Sequence, residues 1–298
     1  NADIDVFAWG DDSRVAWLGD MFECVDNGRY YEPPVNLHDL AATLRIGLHH
    51  ASALQAKLNI LNTTFVPTRL LARSDFTKLA YNFLVLGNGY LEAERNRFGG
   101  VLGYRNRLGL HMRKASHDDG YYYMRKLVLT DDDYIPGSDV CHILQPDLSQ
   151  EIYGVPYYLA GLNSAELNNS ATTFRRRYYD NGSHAAQREG NFKNVFLRSP
   201  NGNPDGIKLM PISEVAAKDE FLNIKNVSAQ DMLSIHRVPP SLMGIVPTAA
   251  GGLGDARTAA EVFAANEITP LQMMFIEVNE RLGEEVFKFK PYELSAPA

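Results

Sequence analysis

Leu162-Asn163-Ser164-Ala165-Glu166-Leu167-Asn168-Asn169-Ser170-Ala171-Thr172-Thr173-Phe174-Arg175-Arg176-Arg177-Tyr178-Tyr179-Asp180-Asn181-Gly182 decides the fold. With Leu159 just ahead of it, Leu162, Leu167, Ala171, Phe174 and Tyr178 make one apolar stripe at helical spacing. Pro156 stands near its start, and Asn181-Gly182 occupies the place of a C-terminal cap. At a rise of 1.5 Å per residue, some 25 residues give a rod of roughly 37 Å. Its remaining faces carry Asn163, Ser164, Asn168, Asn169, Ser170, Thr172 and Thr173, which are polar but uncharged. A helix that meets only water draws on Lys and Glu, whose helix propensity is better. Such a face suits packing against a like neighbour or lining a wet passage.

Working outward, residues 37–61 predict a helix, with Leu40, Leu44, Leu48, Leu54, Leu58 and Leu61 on its apolar side and Asn36 as N-cap. Residues 74–86 predict a second, carrying Phe76, Leu79, Ala80, Phe83 and Leu86 and closed by Gly87-Asn88-Gly89. From Tyr90 to Leu144 the pattern turns to short strands (121–124, 126–130, 140–144) between turn clusters, a small sheet region. Beyond the long helix, 183–212 is turn-rich and strand-like. Ser213 opens another helical region, and Ser228-Ala229-Gln230-Asp231 starts a stretch that Val238-Pro239-Pro240 ends. A Gly-rich loop at 244–254 precedes a last helix capped by Asp255 and ended at Gly283. That helix carries Val262, Phe263, Leu271, Met274, Phe275, Val278 and Leu282 as core and is kinked by Pro270. There is no internal repeat.

The 298 residues hold 29 Lys plus Arg against 36 Asp plus Glu, a net charge of -7. Nine acids and two bases fall within residues 1–40, so the whole deficit lies there and the remainder is balanced. An overall acidic chain is not one that grips DNA tightly. Basic residues do gather at 91–130 and at Arg175-Arg176-Arg177, as solvated faces, subunit contacts or weak phosphate contacts. The acidic start lacks the features of a signal peptide, which favours an intracellular origin, and no apolar run approaches the roughly 18 residues of a membrane span.

Chemistry-bearing motifs are missing: there is no G-x-S-x-G, H-E-x-x-H or Walker lysine, and Gly251-Gly252-Leu253-Gly254 reads as a mobile loop. His49 and His50 diverge by about 100° on a helix and cannot share a metal. His142 reads as a satisfied core residue, Cys24 and Cys141 as buried thiols, and Asp131-Asp132-Asp133 as a solvated turn. No catalytic residue, metal or cofactor is expected.

In this order the segments resemble phage portal proteins of the PBSX type, from contractile-tailed temperate phages. The matching pieces include Tyr31-Glu32-Pro33-Pro34, Leu86-Gly87-Asn88-Gly89-Tyr90-Leu91, Gln150-Glu151-Ile152-Tyr153-Gly154-Val155-Pro156 and 174–184. Asn191-Phe192-Lys193-Asn194, residues 214–221 and His236-Arg237-Val238-Pro239-Pro240 complete them, collinear over nearly the whole chain. The resemblance implies an α+β portal fold with a wing, a long helical stem, a small α/β clip and a kinked C-terminal helix. Wing would be 1–153, first stem helix 154–182, clip 183–212 and second stem helix 213–241. The channel loop would be 242–255, the kinked wing helix 256–283 and a small crown 284–298. Between Ala185 and Asn191 the family carries a further strand and helix of the clip. Either this clip is short or, as is favoured, the sequence joins two pieces flanking an absent segment.

The resemblance also implies the function: a ring, of twelve copies, at one capsid vertex of the virion, through which double-stranded DNA is packaged and later ejected. The protein would be no enzyme; a metal-dependent nucleic-acid-processing enzyme is the alternative. Partners would be further copies, DNA without regard to sequence, the terminase, the major capsid and scaffolding proteins and a head-completion or tail connector protein, but no membrane. Assembly would occur in the host cytoplasm. DNA would pass Thr248, Ala249, Ala250, Gly251, Gly252, Leu253 and Gly254. Arg175, Arg176, Arg177 and Lys193 would touch DNA or a neighbouring subunit.

Overall fold

A computed structural model describes residues 24–45, 48–124, 134–183, 227, 230–243 and 256–294. Asn36 caps the first helix, α1 (Leu37–Thr43), by accepting from the His38 N–H at 2.9 Å. The single helix expected over 37–61 is two, because α1 closes in a turn at Leu44 and α2 runs Leu48–Thr64. In the sequence Gly47, the poorest helix former after proline, stands between the two. Helix α3 (Arg73–Leu86) buries Phe76, Leu79, Ala80, Phe83 and Leu86 as its spacing requires. Gly87 ends it in the left-handed conformation, φ 70°, donating its N–H to Phe83 O.

Two small antiparallel sheets follow. Strand β1 (Asn88–Arg95) lies between β2 (Val101–Arg107) and β6 (Val140–Leu144); β3 (Met112–Lys114), β4 (Tyr121–Tyr123) and β5 (Tyr134–Ile135) form the second. The β1–β2 hairpin was not marked as strands in the sequence, since its charged alternation, Glu92, Glu94, Arg105 and Arg107, masks the buried side. Those four charges pair across the strands, Arg105 with Glu94 and Arg107 with Glu92. The expected strands at 126–130 and the Asp131–Asp133 turn lie outside the described residues.

The main core joins α2, α3 and the C-terminal helix through a phenylalanine cluster. Phe65 stacks on Phe76 at 4.0 Å, and Phe275 meets Phe76, Phe83 and Phe287 edge-on or tilted. The C-terminal helix runs as α5 (Ala256–Phe263), one wide π turn (Ala264–Ile268) and α6 (Thr269–Leu282). Pro270 causes the irregularity as expected: it has no N–H for an i−4 carbonyl, and its ring would crowd that carbonyl. The chain widens one turn instead, and the Thr269 hydroxyl bonds Ala264 O at 3.0 Å. Gly283 ends α6 at φ 69°. Asp255 lies outside the described residues, and Val262, expected in the core, is 53% exposed.

Asn279 turns the chain back after α6. Its Oδ1 accepts from the N–H of Val286 (2.9 Å) and Phe287 (2.8 Å), and its Nδ2 donates to Phe287 O at 2.8 Å. This places Phe287 in the core and pairs the segment with the end of α2, Val66 N–H to Lys288 O at 2.8 Å. Asn279→Ala removes all three bonds, so a loss of about 2–3 kcal/mol is expected, at about 1 kcal/mol per bond. Urea denaturation followed by fluorescence checks it; an unchanged midpoint would show that the hook is dispensable.

Candidate functional site

The rod read from the sequence is present as α4 (Leu162–Ser183), entered through a tight turn, Tyr157–Gly161. Its first turns are anchored by buried Leu159, Leu162 and Ala165. Farther along, Asn169, Ser170, Thr172, Thr173 and Arg176 are exposed. Leu167, expected on the apolar stripe, is 54% exposed. Asn181 and Gly182 do not cap the helix, which continues through them to Ser183.

The base of the rod meets the segment that leads to His236. Gly161 lies so close to Ile235 that a Cβ added there would sit 1.9 Å from Ile235 Cδ1, and Ser164 donates to Asp231 Oδ2 at 3.3 Å. The helix of residues 230–235 closes with the Val238 N–H on Leu233 O and the Arg237 N–H on Ser234 O, both 3.0 Å. That pattern places Arg237 where glycine is usual, at φ 53°, which costs an L side chain roughly 1–2 kcal/mol. Its guanidinium offsets part of that cost by reaching Glu267 Oε1 at 2.9 Å, while Lys57 Nζ takes Glu267 Oε2 at 3.0 Å. Glu267 belongs to the π turn, so the turn forced by Pro270 also supplies the carboxylate that holds both cations. Burial lowers the Lys57 ammonium below its ordinary pKa, against the pull of Glu267.

Beside this triad His236 and His50 meet in the interior, Nε2 to Nδ1 at 2.9 Å, with Tyr158 against both rings. Desolvation brings His50 down to about 4; desolvation, then the neighbouring His50 and Lys57, bring His236 to about 3. Both are therefore neutral near pH 7. The Thr43 hydroxyl donates to Leu40 O at 2.6 Å, so its oxygen accepts from His50 Nε2–H at 3.1 Å. His50 Nδ1 is then the acceptor for His236 Nε2–H. A cavity of about 360 Å³ opens alongside, bordered by Leu54, Lys57, Tyr158, His236, Arg237 and Glu267.

The other matching segments interlock as well. Asn88 is buried with all its capacity used: Nδ2 donates to Leu86 O (2.8 Å) and Gly154 O (2.7 Å). Its Oδ1 accepts from the Gly154 N–H (2.8 Å) and from His142 Nε2–H (2.9 Å). His142 is thereby the satisfied residue expected, its ring stacked 4.2 Å from Tyr90. Tyr153 donates to Tyr31 O at 2.7 Å and accepts from the Lys114 N–H at 2.9 Å, tying the Tyr31-Glu32-Pro33-Pro34 segment down. Cys141 is buried, but Cys24 is only half-buried, its thiol on Gln150 Oε1 at 3.1 Å.

Of the residues expected to meet DNA or a neighbour, Arg176 is exposed on α4. The side chains of Arg175 and Arg177 lie outside the described residues, as do Lys193, the segments expected to form the clip and the join at 185–191, and Thr248, Ala249, Ala250, Gly251, Gly252, Leu253 and Gly254 of the expected channel loop. The flanking elements Pro240–Met243 and α5 are described. Sequence reading did not find the His50–His236 contact, which spans 186 positions, or the two cations on Glu267. The only local signal is Glu267, the sole charged residue between Val262 and Pro270.

The arrangement is a projecting helical rod on a packed base, and solved structures share it. The neck of a native gene transfer agent particle, computed with C12 symmetry, matches 94% of this chain and 88% of its own at TM-score 0.60 and 18% identity. An HK97 family phage portal protein from Corynebacterium diphtheriae matches 84% and 94% at TM-score 0.53 and 14% identity. The fold is thus that of portal subunits. Sequence comparison goes further: the chain is 43% identical over 300 residues to a probable portal protein of Escherichia phage P2, covering 92% of this chain and 87% of that one. It is 35% identical over 281 residues to a probable portal protein of Haemophilus phage HP1, covering 85% and 81%. No family model matches. The chain belongs to the phage portal protein family, and its part is structural, in the DNA-packaging portal of the virion.

Proposed function

We propose that copies of this chain, twelve to a ring, surround a central channel at one capsid vertex, through which the terminase drives double-stranded DNA inward and from which DNA leaves to the tail. The 43% identity to a probable portal protein over 92% of the chain carries this reading. The projecting α4, polar and uncharged over most of its length, agrees with it, because a ring gives such a helix a neighbour on one side and a lumen on another. Residues 1–153 form the wing, 154–182 and 213–241 the two stem helices, 183–212 the clip, 242–255 the channel loop, 256–283 the kinked wing helix and 284–298 a small crown. The alignment with the phage P2 relative runs over 300 positions yet uses 92% of this 298-residue chain, so that relative has residues without counterpart here. A join near 185–191 would account for residues of that kind.

The protein acts without catalysis of its own, as a platform for the terminase, the capsid and scaffolding proteins and the head-to-tail connector, and it assembles in the host cytoplasm. DNA presents one charge per roughly 1.7 Å, so strongly basic walls would brake it. The neutral loop Thr248 to Gly254 suits sliding contact, with Arg175, Arg176, Arg177 and Lys193 giving weak phosphate or inter-subunit contact.

Electron micrographs of the purified protein test the reading. Closed rings with a central hole are expected. A protein that stays monomeric at high concentration across several salt conditions, and that cleaves DNA when magnesium is added, would instead establish a metal-dependent nuclease.

A further inference from the structure

The C-terminal helix is apolar on two sides. One side, with Phe263, Ile268, Leu271, Phe275 and Val278, is buried in the core of the chain. The other presents Val262 (53% exposed), Met273 (56%) and Ile276 (41%) to solvent. Thr269, Met273 and Ile276 share one face of α6 at three- and four-residue intervals, and exposed Val262 and Ala265 stand ahead of them on α5 and the π turn. Farther along the row stand exposed Glu277 and Glu280. An exposed apolar row of this kind marks a contact surface.

The second feature is the tip of the β1–β2 hairpin, where Phe98 is 97% exposed. The tip is built rigidly. Asn96 Oδ1 accepts from the N–H of both Phe98 and Gly100 at 2.9 Å, and the Asn96 N–H donates to Gly100 O at 2.8 Å. Arg95 donates to Gly99 O at 2.8 Å and is itself held by Asp139 at 2.6 Å. Gly99 takes φ 85°, which the turn needs and other residues resist. A large ring on a fixed support loses little freedom on docking, and an aromatic beside an arginine, here Arg97, is the composition of a binding hot spot. Exposed Arg97, beside Phe98, makes the tip basic, opposite in sign to the Glu277–Glu280 end of the helical row, whereas Arg105 is paired with Glu94.

We propose that the outer row of the C-terminal helix receives the Phe98 hairpin tip of a neighbouring copy of this chain, apolar against apolar and Arg97 towards Glu277 and Glu280. A knob and a seat that differ join copies head to tail, and such contacts close into a ring instead of stopping at a pair. The proposal rests on the ring reading above, to which it adds the residues of one contact. All of them are solvent-facing in the single chain, so substitution leaves its core untouched.

Two experiments test it. In Phe98→Cys/Met273→Cys, mild oxidation of assembled protein is expected to give a ladder of covalent multimers, absent from either single variant, which controls for Cys24 and Cys141. Phe98→Asp and the pair Met273→Asp/Ile276→Asp are each expected to lose the rings and to run as monomers with an unchanged thermal midpoint. Rings that persist in both aspartate variants, or a double-cysteine protein that forms rings without a ladder, overturn the contact while leaving the ring reading standing. Unsubstituted protein that forms no ring at any concentration overturns both.

Discussion

Gly154→Ala is expected to leave little or no folded protein. A Cβ there would lie 2.1 Å from Gly87 O, 2.4 Å from Gln145 N and 2.8 Å from Gln145 O. All three are backbone atoms, so no side-chain rotation relieves the clash. Moving them breaks the Gln145 N–H bond to Gly87 O at 2.8 Å and displaces Gly154 from Asn88, whose side chain is buried with four hydrogen bonds. Steric overlap together with orphaned buried polar groups belongs to the class of changes costing more than about 4 kcal/mol, against a whole-domain stability of about 5–15 kcal/mol. Soluble yield and a thermal melt by circular dichroism measure it. A variant melting within a few degrees of the unsubstituted chain would show that the backbone crossing at 87, 145 and 154 is far looser than drawn.

The second large effect is loss of stability in mild acid. Burial lowers His50 to about 4 and is the first cause of lowering for His142 and His236, both to about 3, with Arg281 and Lys114 adding to it at His142. Part of His142 reaches the surface, but its ring is enclosed by Tyr90, Tyr121 and Tyr153. In the unfolded chain all three titrate near 6.5. Between that value and their folded values the unfolded state binds protons that the folded state refuses, so stability is complete above pH 6.5 and falls as the pH drops towards 4. Each histidine contributes up to about 1.4 kcal/mol per pH unit, so by pH 5 the three together remove roughly 4–6 kcal/mol.

Carboxylates are still ionised over most of this window, which isolates the effect. Urea midpoints measured from pH 7.5 to 5 are expected to fall steeply below 6.5. His142→Gln, whose amide can still donate to Asn88, is expected to flatten the slope by about one proton. A level profile between pH 6.5 and 5 would mean that the three rings are hydrated and charge freely.

Where a local pattern sufficed, sequence and structure agree. The α3 helix and its Gly87 cap, the Asn36 cap and the irregularity at Pro270 follow from spacing, a capping side chain or a missing N–H, each acting within about one helical turn. Val262 and Leu167 were misplaced because apolar spacing says which residues avoid water and not which partner removes them from it. Both are more than half exposed. The β1–β2 hairpin was passed over because its outward strand positions carry charges whose pairing partners stand on the other strand.

The resemblance to portal proteins was legible because the matching pieces have fixed order, while the reason those pieces are as they are was not. Gly87-Asn88-Gly89 and Tyr153-Gly154-Val155-Pro156 cross at backbone contact, with Asn88 satisfying both. His236-Arg237-Val238-Pro239-Pro240 docks through His50 and Glu267. By itself the sequence determined helix α3, the caps at Asn36, Gly87 and Gly283, the long polar rod and the family, since these depend on short-range periodicity and on residue order. Only the tertiary structure decided which distant polar groups meet in the interior, because a hydrogen bond across 66 or 186 positions leaves no periodic trace along the chain.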